Sequence, residues 1–156
     1  YDIEVGIVKS ESVKSEHYES DIVFSKIWPS SKLTEALDWA DVSVAASGTV
    51  TLATGLFQVP TVVCYKVSMF TELILNLFVP YNGPASLTNI IHGSYLFPEF
   101  IQNEADRYNI AFSIINWLKS ETNYNNTVEN LKNIGTKLTG ENFSVPEYMA
   151  GVIEEI

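Results

Sequence analysis

Apolar positions in the first half of this chain alternate between two rhythms. Residues 3–8 (IEVGIV), 21–25 (DIVFS), 42–46 (VSVAA) and 61–65 (TVVCY) are short, dense apolar runs of strand length. Between them, residues 33–40 place Leu33, Ala36, Leu37 and Ala40 at helical spacing, and residues 49–57 form a helix-length segment closed by Pro60. The runs at 42–46 and 61–65 are continuous rather than alternating, as strands covered on both faces are. Residues 9–20 are polar and mixed in charge, and read as a loop or a solvated helix.

Beyond Tyr65 the rhythm changes. Ser68 is a candidate cap for a helix over 69–79 that Pro80 stops, and residues 81–84 (YNGP) have turn composition. Residues 86–91 (SLTNII) read as a short extended piece or another buried strand, 92–94 as a turn, and 97–100 as the opening of a helix. Helical spacing then recurs over 104–119 and 128–138, separated by a polar, Asn-rich connection at 121–126. Gly140 is expected to end the second of these, and 146–156 to form a short terminal helix. No internal repeat or interior linker appears, so the 156 residues read as one domain.

Strands alternating with helices predict an α/β fold: a Rossmann-like parallel sheet with flanking helices, and extra helices at the C-terminal end. In such sheets ligands collect at the carboxyl ends of the strands, and phosphates favour the helix N-termini there. Ser47-Gly48-Thr49 occupies that position between the third strand and its helix. Gly48 permits close backbone approach, the hydroxyls of Ser47 and Thr49 are donors, and the N–H groups of 49–51 are expected to face a ligand. The plain alternative is a tight βα turn in which Ser or Thr merely caps the helix.

Charge and composition narrow the partners. A net charge of −10 opposes nucleic acid, which needs clustered Lys and Arg, and opposes adsorption to an anionic bilayer. It leaves room for a phosphate pocket built from backbone amides. Hydrophobic residues at 46% and charged residues at 18% fit a globular core. Cys64 is the one cysteine, so no disulfide forms within the chain, and an inert thiol in a reducing cytoplasm is expected. His17 and His92 are isolated and no metal-ligand spacing occurs, so no metal or other cofactor is expected. No run of 18 apolar residues spans a membrane, and no signal peptide is visible. The chain opens on Tyr1 and directly on a strand-like run, which reads as a piece of a longer protein.

Three blocks carry a family resemblance. The first is Ala40-Asp41 followed by Ala46-Ser47-Gly48-Thr49-Val50-Thr51-Leu52. The second is Val59-Pro60-Thr61-Val62-Val63 with Tyr65-Lys66. The third is Ser86-Leu87-Thr88-Asn89-Ile90-Ile91 with Gly93, then Pro98-Glu99 and Gln102. In order and spacing, over about residues 33–118, these resemble the lipid-A-disaccharide synthase family of bacterial glycosyltransferases. The resemblance implies one half of a GT-B fold, the C-terminal domain that binds UDP-2,3-diacylglucosamine. The catalytic base and much of the acceptor site would then belong to an N-terminal domain of the same protein that is absent here. It implies hexosyl transfer without a metal, an isolated chain without turnover, self-association, and peripheral membrane contact only through the full-length protein. It assigns Ser47, Gly48 and Thr49 to the donor diphosphate, Asn89 to phosphate or sugar, and added charge to Lys66.

The chain departs from the family pattern at three places. Ala53 stands where the family has a glutamate that bonds ribose, Ser94 follows Gly93 where the family has arginine, and Thr88 replaces a proline. These departures leave a second reading open: a degenerate module that binds a nucleotide or a partner without catalysis. A third reading, an unrelated flavodoxin-like domain, predicts bound flavin. For Asn89 the local alternative is a turn residue bonding its own backbone, for Lys66 an exposed charge, for Glu99 and Gln102 a solvated helix start, and for His92 a turn position.

Overall fold

The computed structural model describes residues 3–18, 22–66 and 83–139. The helices expected at 69–79 and 146–156, and the stop at Gly140, lie outside these residues. The first strand, β1 (Gly6–Lys9), is followed by a 3-10 turn at Ser15–Tyr18 and by β2 (Lys26–Pro29), which pairs with β1 in parallel. Helix α1 (Leu33–Trp39) leads to β3 (Ser43–Ala46), helix α2 (Thr49–Leu56) to β4 (Thr61–Tyr65). Helix α3 (Leu87–His92) then precedes β5 (Glu99–Ile101). The chain continues in helices α4 (Arg107–Lys119), α5 (Glu121–Leu131) and α6 (Asn133–Thr139).

All three strand pairings in the second sheet and the first are parallel, with orders β1-β2 and β3-β4-β5. The parallel α/β fold read from the sequence is therefore the one observed, with the ladder divided into two sheets. Strand β4 is the centre of the larger sheet: Thr61, Val62 and Val63 are fully buried. Around it the core gathers Leu37 of α1, Ala53 and Leu56 of α2, Val59, Val63, Phe97, Leu131 of α5 and Ile134 of α6. Helices α2 and α3 approach so closely that a methyl group at Gly55 would run into the Thr88 side chain. That contact explains a glycine inside an apolar helix, where it otherwise costs about 1 kcal/mol.

Several elements differ from the sequence expectation, each for a local reason. The second strand lies at Lys26–Pro29 rather than 21–25, and Val23 is 89% exposed. The anchor of this region is Trp28, whose ring sits 5.3 Å from that of Trp39. Residues 86–91 are helical, not extended. Ser86 caps α3 by accepting the Asn89 N–H at 3.3 Å, and Gly93 ends it in the left-handed conformation (φ 86°). The caps outweigh the strand preference of the Ile90-Ile91 pair. Residues 99–101 are strand, not helix, because the Pro98 carbonyl accepts the Val63 N–H at 2.8 Å and starts the β4–β5 ladder.

Helix α4 begins at Arg107, where Asp106 accepts from the N–H groups of Tyr108 and Asn109, after a 3-10 turn at Gln102–Glu104. The Asn-rich segment 121–126 is the first part of α5. Ser120 caps it, and the Trp117 indole donates to Thr127 at 3.1 Å across the α4–α5 corner. The expected single helix 128–138 is broken at Lys132 into the end of α5 and α6.

Candidate functional site

Ala46 pairs with Cys64, so β3 and β4 release the chain at Ser47 and Lys66 on one carboxyl edge of the sheet. Four of the residues singled out from sequence meet at that edge. Gly48 there has φ 140° and ψ −163°, a region open essentially to glycine alone. The turn takes the chain from β3 into α2 within two residues, leaving Gly48 and Thr49 exposed and Ser47 half-buried. The N–H groups of Thr49 and Val50 open the helix and take no partner among the described residues. The Thr51 N–H, expected to face a ligand, instead donates to the Gly48 carbonyl at 3.1 Å.

A polar lattice behind the turn holds it in place. The Ser47 hydroxyl donates to the Ala85 carbonyl at 3.0 Å. The Thr51 hydroxyl donates to the Gly48 carbonyl at 2.7 Å and accepts the Leu87 N–H at 3.1 Å. Thr88 donates to the Thr51 carbonyl at 2.5 Å. The far anchor is Glu99, whose two carboxylate oxygens accept the N–H groups of Ala85 at 2.6 Å and Ser86 at 2.9 Å. This carboxylate thereby fixes the backbone that receives Ser47.

Asn89 belongs to the lattice and not to the surface. It is fully buried, its amide NH₂ donates to the Phe97 carbonyl and to Glu99 at 2.9 and 2.7 Å, and its carbonyl accepts the N–H groups of Leu96 and Phe97, both at 2.9 Å. Both donors and both acceptor positions are engaged, so in this arrangement the side chain has nothing left to offer a ligand. Glu99, read from sequence as a solvated helix start, is a strand residue committed to three part-buried hydrogen bonds. Thr51, Thr88 and Glu99 stand in the quoted blocks, but sequence reasoning gave none of them a part in holding the turn. The signal was a set of threonines, 49, 51 and 54, in an otherwise apolar helix and a lone acid inside the run Phe97–Phe100.

Lys66 is exposed at the sheet edge. Its ammonium lowers the Cys64 thiol pKa, but burial acts more strongly and holds that pKa above its ordinary value. A thiol kept protonated and half-buried is a poor nucleophile. Ala53 faces the core beside Leu56 and Val59, and Ser94 turns to His92, its hydroxyl 2.7 Å from Nδ1. At the carboxyl ends of β1 and β2, a cavity of about 490 Å³ is lined by Lys9, Tyr18, Ile27, Trp28 and Pro29 among others. Among the described residues no helix is long and apolar enough to cross a membrane.

Parallel strands, helical crossovers and a glycine turn opening a helix at the strand ends place this chain among Rossmann-like α/β proteins. Residues 7–153 match the lipid-A-disaccharide synthetase family, and the chain belongs to that family. It is 33% identical over 133 residues to a lipid-A-disaccharide synthase of Rickettsia prowazekii, covering 85% of this chain and 35% of that protein. It is 35% identical over 91 residues to that of Dechloromonas aromatica (57% and 23%) and 41% identical over 81 residues to that of Nitrosococcus oceani (52% and 21%). The chain thus spans about a third or less of the length of these curated relatives.

Proposed function

We propose that this chain is the C-terminal, donor-binding part of a lipid-A-disaccharide-synthase-type glycosyltransferase, holding the diphosphate of a UDP-sugar at the Ser47–Thr49 turn. The observation that carries the reading is the Gly48 conformation, which bares the first two N–H groups of α2 at the strand ends. Those amides and the Thr49 hydroxyl face the leaving diphosphate, and Lys66 adds a point charge from the neighbouring strand end. Asn89 and Glu99 act one step back, by fixing Ala85 and so Ser47. The acceptor hydroxyl attacks the anomeric carbon, the glycosidic oxygen leaves with UDP, and the base comes from the part of the relatives that this chain does not span. The isolated chain lacks turnover, because half of the reacting geometry is missing. No metal is needed in this scheme, since backbone amides and Lys66 supply the positive field. Self-association and peripheral membrane contact belong to the same proposal and to the full-length protein.

Titration calorimetry with UDP tests it. The chain binds UDP, and Ser47→Ala and Gly48→Ala each weaken binding by about tenfold, the loss of one oriented hydrogen bond or of the turn that presents it. Binding that both substitutions leave unchanged would sink the assignment. A second reading, a degenerate module, draws on Ala53 and Ser94. Neither residue offers the site a charge: one packs in the core, the other is paired with His92. That reading predicts no UDP binding at all.

A further inference from the structure

We propose that the outward face of α4 is a contact between two copies of this chain, in which the helix packs antiparallel against itself. The inference stands apart from the donor assignment, and every residue that makes the contact belongs to this chain. Helix α4 turns Trp117 inward, where it is buried. The side of a surface helix opposite its buried stripe is normally polar. Here that side carries Tyr108, Ala111, Phe112 and Ile115, all exposed, with Tyr108 at 69% and Phe112 at 74%. These positions follow the i, i+3, i+4, i+7 spacing of a seam between helices. The Tyr108 ring is held in place for contact. The Arg107 guanidinium carbon lies 4.8 Å from the ring centre, and its NH₂ donates to the Tyr108 hydroxyl at 2.9 Å. Tyrosine and arginine are among the residue types that carry most binding energy at protein interfaces.

Symmetry decides what the face binds. Let a second α4 lie antiparallel, with the two-fold axis between residues 111 and 112. Tyr108 then opposes Ile115 of the second copy, and Ala111 opposes its Phe112, so a ring meets a methyl group. The charges match as well. Lys119 closes the stripe at one end, and Glu104 and Asp106 precede the helix at the other. Antiparallel packing sets Lys119 against the acidic end of the second copy, whereas parallel packing sets like charges together. Glu121, near Lys119 in sequence, belongs to α5 beyond the Ser120 corner. A bilayer fits the face less well. Each end of α4 has a cation, but acids stand beside both, and the chain carries a net charge of −10. One helix pair is small for a stable interface, so the dimer is weak and depends on concentration.

Sedimentation velocity over a dilution series tests the contact. The mass rises from one chain to two with concentration, and Phe112→Glu holds it at one. Lys119→Glu moves the transition to about tenfold higher concentration, since two symmetry-related charge contacts change at once, and adding Glu104→Lys restores it. In a Cys64→Ser background, Ala111→Cys forms a disulfide between chains on mild oxidation, because the two-fold axis brings the two Cα atoms within about 6 Å. Asn116→Cys, exposed on the same helix but about 13 Å along it from its own symmetry mate, forms none. A single chain at every concentration overturns the proposal. So does a dimer that Phe112→Glu leaves intact, which would use another surface. So does a lower urea midpoint for Phe112→Glu at concentrations where the parent is a monomer, which would mean that the chain covers this face itself. Co-flotation of the parent with phosphatidylglycerol vesicles, abolished by Phe112→Glu, would assign the face to a bilayer and overturn the proposal as well.

Discussion

The two sheets of this molecule are built to different standards. Around β4, polar groups are buried only where each is matched: Asn89, Thr51, Thr54, Thr61, Ser86 and Thr88 are all at 1% exposure or less, and every one of them is hydrogen-bonded. Around β1 and β2 none of the strand residues is fully buried, and Ile27 is 56% exposed. What holds that half is surface chemistry: the Trp28–Trp39 pair with the Lys26 ammonium 4.9 Å from the Trp39 ring. Burial makes hydrogen bonds obligatory, and obligatory hydrogen bonds make geometry unique. The proposed site grows from the well-buried half because only there is the backbone held tightly enough to aim two N–H groups.

That contrast predicts a graded series of effects. Asn89→Ala strands the N–H and carbonyl of Phe97 in the interior and removes one of the two acceptors of the Leu96 N–H, the Ser94 carbonyl being the other. It is expected to cost about 3–5 kcal/mol in urea denaturation. Gly48→Ala meets no atom within 4 Å, so its cost is conformational alone, about 1–3 kcal/mol, and the same measurement reads it. A loss as large as that of Asn89→Ala would mean that the turn is part of the core. Ile27→Ala, on the exposed sheet, is expected to stay within about 0.5 kcal/mol of the parent chain. A loss of several times that would show that the first sheet is covered in solution and would remove the contrast.

The smallest effect is a pH dependence. Burial, and then repulsion from the Lys137 ammonium, hold the His92 pKa below its ordinary 6.5. The unfolded chain therefore takes up the proton first. His92 contributes stability that is whole above pH 6.5 and is lost as pH falls through its folded value. The parent chain is expected to lose slightly more stability than His92→Gln over that interval, measured by denaturation at paired pH values. An equal or smaller loss in the parent removes His92 from the account.

The core βαβ unit was legible because two continuous apolar runs flank one helix, and no other arrangement buries both. The edge position of Ser47, Gly48, Thr49 and Lys66 followed from that unit. Asn89 was legible as special but not as buried, since a polar residue in SLTNII looks the same whether it meets a ligand or a backbone. Its partners, at 96–99, are distant in sequence and were misread as a helix start. The β2 strand was missed because Trp28 packs sideways onto Trp39 and Gly6, a contact that no period of the local sequence announces. The break at Lys132 was invisible for the opposite reason: the helical period runs straight through it.

The long reach of Glu99 has an effect in time. The amides it clasps, at 85 and 86, and the serine that leans on them, at 47, leave the ribosome well before residue 99 does. Until β5 arrives, the nascent glycine corner has only its local bonds to Thr51 and lacks the carboxylate that fixes its neighbour. The proposed ligand pocket would then be among the last parts of the domain to set, and a truncated chain ending before Glu99 would carry the motif without the pocket.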